Sequence, residues 1–199
     1  MNILITVAHP DDETLGMGGT IKKLSKNNEI TLCVMTDGAS AQYDGKKMIK
    51  VRQDACKKAG KILGISKFHF LNFPDMKLDS ISHVEMNKEL EKIIKKINPK
   101  ILYSTSYNDL NKDHQKVFES CSVISRPISS KIKKFLCFEM GGRNKIPFNP
   151  NTYVDISKEL SFKLKALNQY KTEINPFPHE RSLKFIESLS HVRGVESGF

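Results

Sequence analysis

The chain has 199 residues, of which 39% are hydrophobic and 27% charged, and a formal net charge of +10. That length supports one domain with a core of its own, and no run of roughly 18 apolar residues is present to span a bilayer. The charge invites a nucleic-acid reading, but only five of the 32 basic residues are arginine, the residue that phosphate forks and base readout favour; the lysines read as a solvated surface, and no nucleic-acid partner is expected.

Residues 2–8 form a short apolar, β-branched run, the pattern of a central parallel strand covered on both faces. Pro10 stops the ladder, and helical periodicity follows over 14–27, where Gly16, Gly18 and Gly19 are small enough to let the helix pack closely on the sheet. Further strands are expected at 30–36, 67–71, 100–105, 134–138 and 152–155. Further helices are expected at 46–63, 81–97, 113–124, 157–170 and 179–191. This alternation predicts an α/β fold, a Rossmann-like three-layer sandwich around a mostly parallel sheet, as a single domain over 1–199. Cys33, Cys56, Cys121 and Cys137 are widely spaced and read as reduced core thiols. A chain that begins on a strand pattern, with no charged leader and cleavage site, predicts a cytoplasmic protein.

Loops that follow parallel strands converge at the carboxyl edge of the sheet, where ligands collect. Four of them, 9–13, 37–45, 72–79 and 105–114, are longer or odder than a plain turn needs, and 139–151 and 171–180 look like rims or lids. Within the first, His9 and Asp12 can point two ligands at one centre and leave Asp11 and Glu13 free. The loop Asp109-Leu110-Asn111-Lys112-Asp113-His114 offers a third. Two nitrogens and a carboxylate from His9, His114 and Asp12 make the open three-ligand set of catalytic zinc, with Asp113 or Asp109 available to orient a ligand. The plain alternative is that both clusters are helix caps.

The run Ala8-His9-Pro10-Asp11-Asp12-Glu13 resembles the opening motif of the PIG-L / LmbE-like de-N-acetylase family, zinc hydrolases that deacetylate N-acetylglucosaminyl and related compounds. Gly16, Gly18-Gly19, Thr36-Asp37-Gly38, Arg52, Leu63-Gly64, Phe73-Pro74-Asp75, Asp113-His114, Arg193-Gly194 and Gly198-Phe199 extend the resemblance. It implies that His9, Asp12 and His114 hold Zn2+, that Asp11 is the general base, and that Arg52 and Asp75 contact the substrate or shape its pocket. The family often has histidine where this chain has Asn111, which can donate to an oxyanion but cannot exchange a proton at neutral pH. Asp11 could then return its proton to the leaving amine, with His179 and His191 as alternatives. Family members usually continue beyond the equivalent of Phe199, so a short or truncated member is expected.

These readings predict a zinc-dependent hydrolase that removes acetyl from an N-acetylated amino sugar, whether a glycoside, a nucleotide sugar or a glycolipid, by metal-activated water. Ligand chemistry permits iron as well. The alternatives are a metal-free nucleotide- or sugar-binding domain that has lost catalysis, and a zinc amidase acting on a non-sugar N-acyl substrate. The partner is a small-molecule or lipid-linked amino sugar, and a homo-oligomer is allowed.

Overall fold

A computed structural model describes residues 1–43, 46–142 and 144–199. The parts of loops 37–45 and 139–151 at residues 44, 45 and 143 lie outside the described residues. The strands are β1 (Asn2–Val7), β2 (Glu29–Thr36), β3 (Lys67–Phe73), β4 (Ile101–Ser104) and β5 (Lys134–Cys137). The helices are α1 (Asp12–Leu24), α2 (Lys46–Leu63), α3 (His83–Ile97), α4 (Lys112–Ile124), α5 (Leu160–Leu167) and α6 (Leu183–Ser197), with a 3-10 turn at Leu78–Ser80. The five strands pair in parallel in the order β3-β2-β1-β4-β5.

Alternation along β1 builds both layers of the core. Ile3, Ile5 and Val7 pack with Ile21 of α1, Ala59 and Leu63 of α2, and Ala166 and Leu167 of α5. Leu4 and Ala8 face the opposite side, with Leu90 of α3 and Val117 of α4. The chain moves from β1 out to β2 and β3, then crosses back to β4 on the other flank of β1. A switch point therefore opens at the carboxyl ends of β1 and β4, where open α/β sheets bind ligands.

Three sequence expectations need correction. Residues 152–155 form no strand; β-branched content does not make a strand without a neighbour to pair with, and the segment instead wraps back so that Ile156 packs on α1. Gly16 does lie against the end of the sheet, where a Cβ would meet Phe138 just after β5, but Gly18 and Gly19 serve other contacts. A Cβ at Gly19 would meet Ile156 at 2.6 Å and one at Gly18 would meet the Lys163 stem at 3.0 Å. The last helix starts later and ends later than 179–191: Ser182 caps it by accepting the Phe185 amide at 3.1 Å, and Gly194 lies inside it, because one glycine weakens a helix without ending it.

Lys163 of α5 is 6% exposed. Burial draws its amine down to about 8, against the pull of Glu139. The native state thus releases this proton near pH 8 and the unfolded chain near the ordinary 10.5, so the group destabilises the fold below pH 8 and ceases to do so above 10.5. Lys163→Met, which keeps the stem, should raise unfolding free energy at pH 7 by up to ~3 kcal/mol. Urea melts at pH 7 and pH 10 check this, with the gain at pH 10 below about 1 kcal/mol; an equal gain at both would refute the charge argument.

Candidate metal centre and active site

The functional side chains gather at that switch point. Parallel pairing of β1 with β4 sets the loop carrying His9 beside the loop that leads into α4, which carries His114. Asp12 opens α1, where a carboxylate favours the helix N-terminus. His9 Nδ1 lies 3.2 Å from His114 Nε2 and 3.5 Å from Asp12 Oδ2, and His114 Nε2 lies 3.3 Å from Asp12 Oδ2. Tetrahedral bonds of about 2.0–2.1 Å place neighbouring ligand atoms about 3.3–3.4 Å apart. The three donors thus stand where three corners of such a site would be, and Asp12 Oδ1 is buried without a hydrogen-bond partner.

The outer nitrogens complete the fit. His114 Nδ1 lies 2.7 Å from Asp109 Oδ2, and His9 Nε2 lies 3.2 Å from Asp113 Oδ2 and 3.1 Å from Asp75 Oδ1. With each outer N–H donating to a carboxylate, each inner nitrogen keeps its lone pair for an ion. His9, Asp75 and Asp113 form a second cluster of donors, but Asp113 already accepts the amides of Met76 and Leu78 at 2.8 and 3.0 Å. That makes it a brace between the loop after β3 and His9.

The electrostatics favour a cation. Burial disfavours a charged His114, yet Asp12 and Asp109 bring its pKa up to about 9. Burial likewise opposes a charged His9, and Asp113, Asp12 and Asp75 prevail, holding it well above its ordinary value. Burial would raise Asp12, but His114 and His9 hold it well below the usual carboxylate range. A cluster that draws protons onto its imidazoles this strongly is one in which a divalent ion can replace them.

Asp11 differs from its neighbours. It is 1% exposed, neither of its oxygens has a hydrogen bond, and its φ is 126°, the kind of strained backbone that collects at functional sites. Burial raises its pKa, opposed first by Arg181 and then by Arg52, whose guanidinium nitrogens stand 3.5 and 3.7 Å from its oxygens. Glu173 binds both arginines, at 2.7 Å to Arg181 and 3.4 Å to Arg52. Glu13 fixes the Asp11 backbone by accepting its amide at 3.2 Å, and in turn accepts Thr14 Oγ1 and Tyr170 Oη. Burial pushes the Glu13 carboxyl up to about 7.

The structure places the other expected residues as follows. Arg52 donates to the carbonyls of Gly38 and Pro10, tying together the loops after β2 and β1. Asp75 is buried against His9. Asn111 is the N-cap of α4: its Oδ1 accepts the Asp113 amide at 2.8 Å, and its Nδ2 faces Met76 Sδ at 3.5 Å. His179 and His191 are exposed, and neither is among the partners of Asp11 or the three donors. Tyr170, Glu173 and Arg181 lie outside the sequence expectations, since the groups they reach near the start of the chain, Glu13, Arg52 and Asp11, are distant from them in sequence and no local pattern marks them.

A buried two-histidine, one-carboxylate set thus stands at the switch point of a parallel sheet, beside a carboxylate that has no hydrogen bond and is flanked by two arginines. The chain belongs to the family described as PIG-L: GlcNAc-PI de-N-acetylase, whose model matches residues 4–124. It is 28% identical to the diacetylchitobiose deacetylase of Thermococcus kodakarensis, over 98% of this chain and 79% of that protein. It is 32% identical to an uncharacterized deacetylase, YaiS, of Escherichia coli, over 85% of this chain and 90% of that one. Among solved structures, the N,N'-diacetylchitobiose deacetylase of Pyrococcus horikoshii, complexed with an inhibitor, superposes with a TM-score of 0.79 at 25% identity, covering 99% of this chain and 79% of that one.

Proposed function

We propose that this protein is a zinc-dependent hydrolase that removes the acetyl group from an N-acetylated amino sugar. The observation that carries this reading is the convergence of His9 Nδ1, His114 Nε2 and Asp12 Oδ2 beside an Asp11 carboxylate with no hydrogen bond of its own. Relatives named as deacetylases of diacetylchitobiose and, probable by name, of N-acetyl-glucosaminyl malate support an amino-sugar substrate, soluble or lipid-linked. A cytoplasmic location and self-association fit this reading.

His9, Asp12 and His114 would hold the ion, which supplies Lewis acidity and a water of lowered pKa. Asp11, standing outside the three donors, accepts the proton of the attacking water and returns it to the departing amine. Arg181 and Arg52 favour its carboxylate form before the reaction. Asp109, Asp113 and Asp75 keep both imidazoles aimed inward. Asn111 has its oxygen committed to the α4 cap, so its contribution to the developing oxyanion would come from Nδ2, whose thioether partner is a weak acceptor easily exchanged.

The test is amine release from N-acetylglucosamine, N,N'-diacetylchitobiose, and nucleotide- and lipid-linked N-acetylglucosamine, with and without added zinc. Metal-dependent release from at least one supports the reading. Release from none, or release unchanged by chelation, removes it.

The Tyr170–Glu13–Asp11 connection gives a separate expectation. Tyr170→Phe removes a buried donor to Glu13 and loosens the hold on the Asp11 amide, so turnover should fall by about tenfold, the scale at which orienting partners act. Zinc content should stay at the wild-type level. An unchanged rate would make Tyr170 a packing residue only.

A further inference from the structure

A cavity of about 840 Å³ lies apart from the metal cluster, with none of His9, Asp12 and His114 in its lining. It lies between the first turns of α1, β5, the segment 146–157, α5 and the end of α6. One side of it is aromatic and aliphatic, with Phe118, Phe135, Phe138, Phe148, Ile156 and Leu160, and the rim is polar, with Asn149, Asn151 and Asp155. Lys163, 6% exposed as a residue, is part of this lining, and its amine makes no hydrogen bond or ion pair among the described residues. The acid that acts on it, Glu139, is already gripped at two points by Arg193, with Nε to Oε2 at 2.8 Å and Nη2 to Oε1 at 2.6 Å. Arg193 also holds Glu196.

A lysine buried without a partner is rare and unfavourable, and here the fold makes room for it: Gly18 is bare where the Lys163 stem passes. The cavity therefore sets a cation with no partner beside an aromatic wall. We propose that it is a binding site for an amphipathic monocarboxylate, whose aliphatic or aryl part lies against the aromatic walls and whose carboxylate pairs with Lys163 Nζ. A phosphate dianion would need more donors than one point charge, and a neutral lipid would leave the amine unpaired. The volume is within the range of small-molecule sites, roughly 300–1,000 Å³. Apolar burial of the body and a charge-assisted hydrogen bond to the head act together.

Isothermal titration of the zinc-loaded full chain at pH 7 tests this with octanoate, 4-phenylbutyrate, acetate and octanol. Octanoate and 4-phenylbutyrate should bind at least about tenfold more tightly than acetate or octanol, the scale of one charge-assisted contact. Lys163→Met should weaken octanoate by about tenfold or more and leave octanol unchanged. Equal binding of octanoate and octanol, or equal binding of octanoate to wild type and variant, overturns the proposal. Acetate binding as tightly as octanoate overturns it in favour of a site for the small released anion. Should the variant not fold, reductive methylation of the wild-type chain, mapped by mass spectrometry, decides instead: octanoate should protect Lys163, and full methylation in its presence overturns the site. Neither readout depends on deacetylation, so the two proposals fail separately.

Discussion

Asp11→Asn should retain about one zinc per chain and lose deacetylation by roughly 10²–10⁴, the range that a general base contributes. The substitution isolates the proton from everything else. The three converging donors belong to His9, Asp12 and His114, so the ion loses no ligand. Asparagine keeps the size and shape of the aspartate side chain, so the site is disturbed less than by alanine. Glu173 still neutralises Arg181 and Arg52, which limits the disturbance from losing one buried charge. Metal analysis and initial rates on the same preparation decide the matter. Loss of zinc in step with activity would place Asp11 among the ligands, and a wild-type rate would take the proton away from it.

How much of this was legible in the sequence follows from how local each cause is. The strand over 2–8 could be read because a central parallel strand is apolar on both faces, and the structure buries Ile3, Ile5 and Val7 on one side and Leu4 and Ala8 on the other. The helix at 46–63 could be read because its stripe is amphipathic, and Lys46–Leu63 is helical. The grouping of His9 with His114 followed from topology, since loops of parallel strands share an edge. What could not be read depends on contacts between distant segments. Residues 152–155 look like a strand in isolation, and only the packing of Ile156 on Gly19 shows why the segment leaves the sheet. Asn111 carries its capping role in its position, three residues before His114, yet whether its amide also faces the site depends on Met76 across the loop. Tyr170 and Arg181 reach Asp11 and its support from the segment between α5 and α6, a relation no spacing rule encodes. Lys163 looked like one more surface lysine in a lysine-rich chain.

Treatment with a chelator should bring amine release to background and lower the melting temperature, and added zinc should restore both. The centre holds Asp11, Asp12, Asp75, Asp109 and Asp113 around two imidazoles, all of them nearly inaccessible to water. Without an ion, those carboxylates are satisfied in part by protons drawn onto His9 and His114. A divalent cation replaces these protons with a charge that needs no titration. At a free concentration a hundred times its dissociation constant it stabilises the native state by about 2.7 kcal/mol, roughly 5–10 °C for a chain of this size. Asp12→Asn should abolish the response, because it exchanges the one anionic donor for a neutral amide and leaves two imidazoles with no carboxylate to complete the set. Calorimetric melts with chelator and with zinc, on wild type and variant, test both halves. A wild-type melt that ignores the chelator would mean that the cluster is held by protons in solution, and an Asp12→Asn chain that keeps stoichiometric zinc would place the ion on the other side of His9, between Asp75 and Asp113.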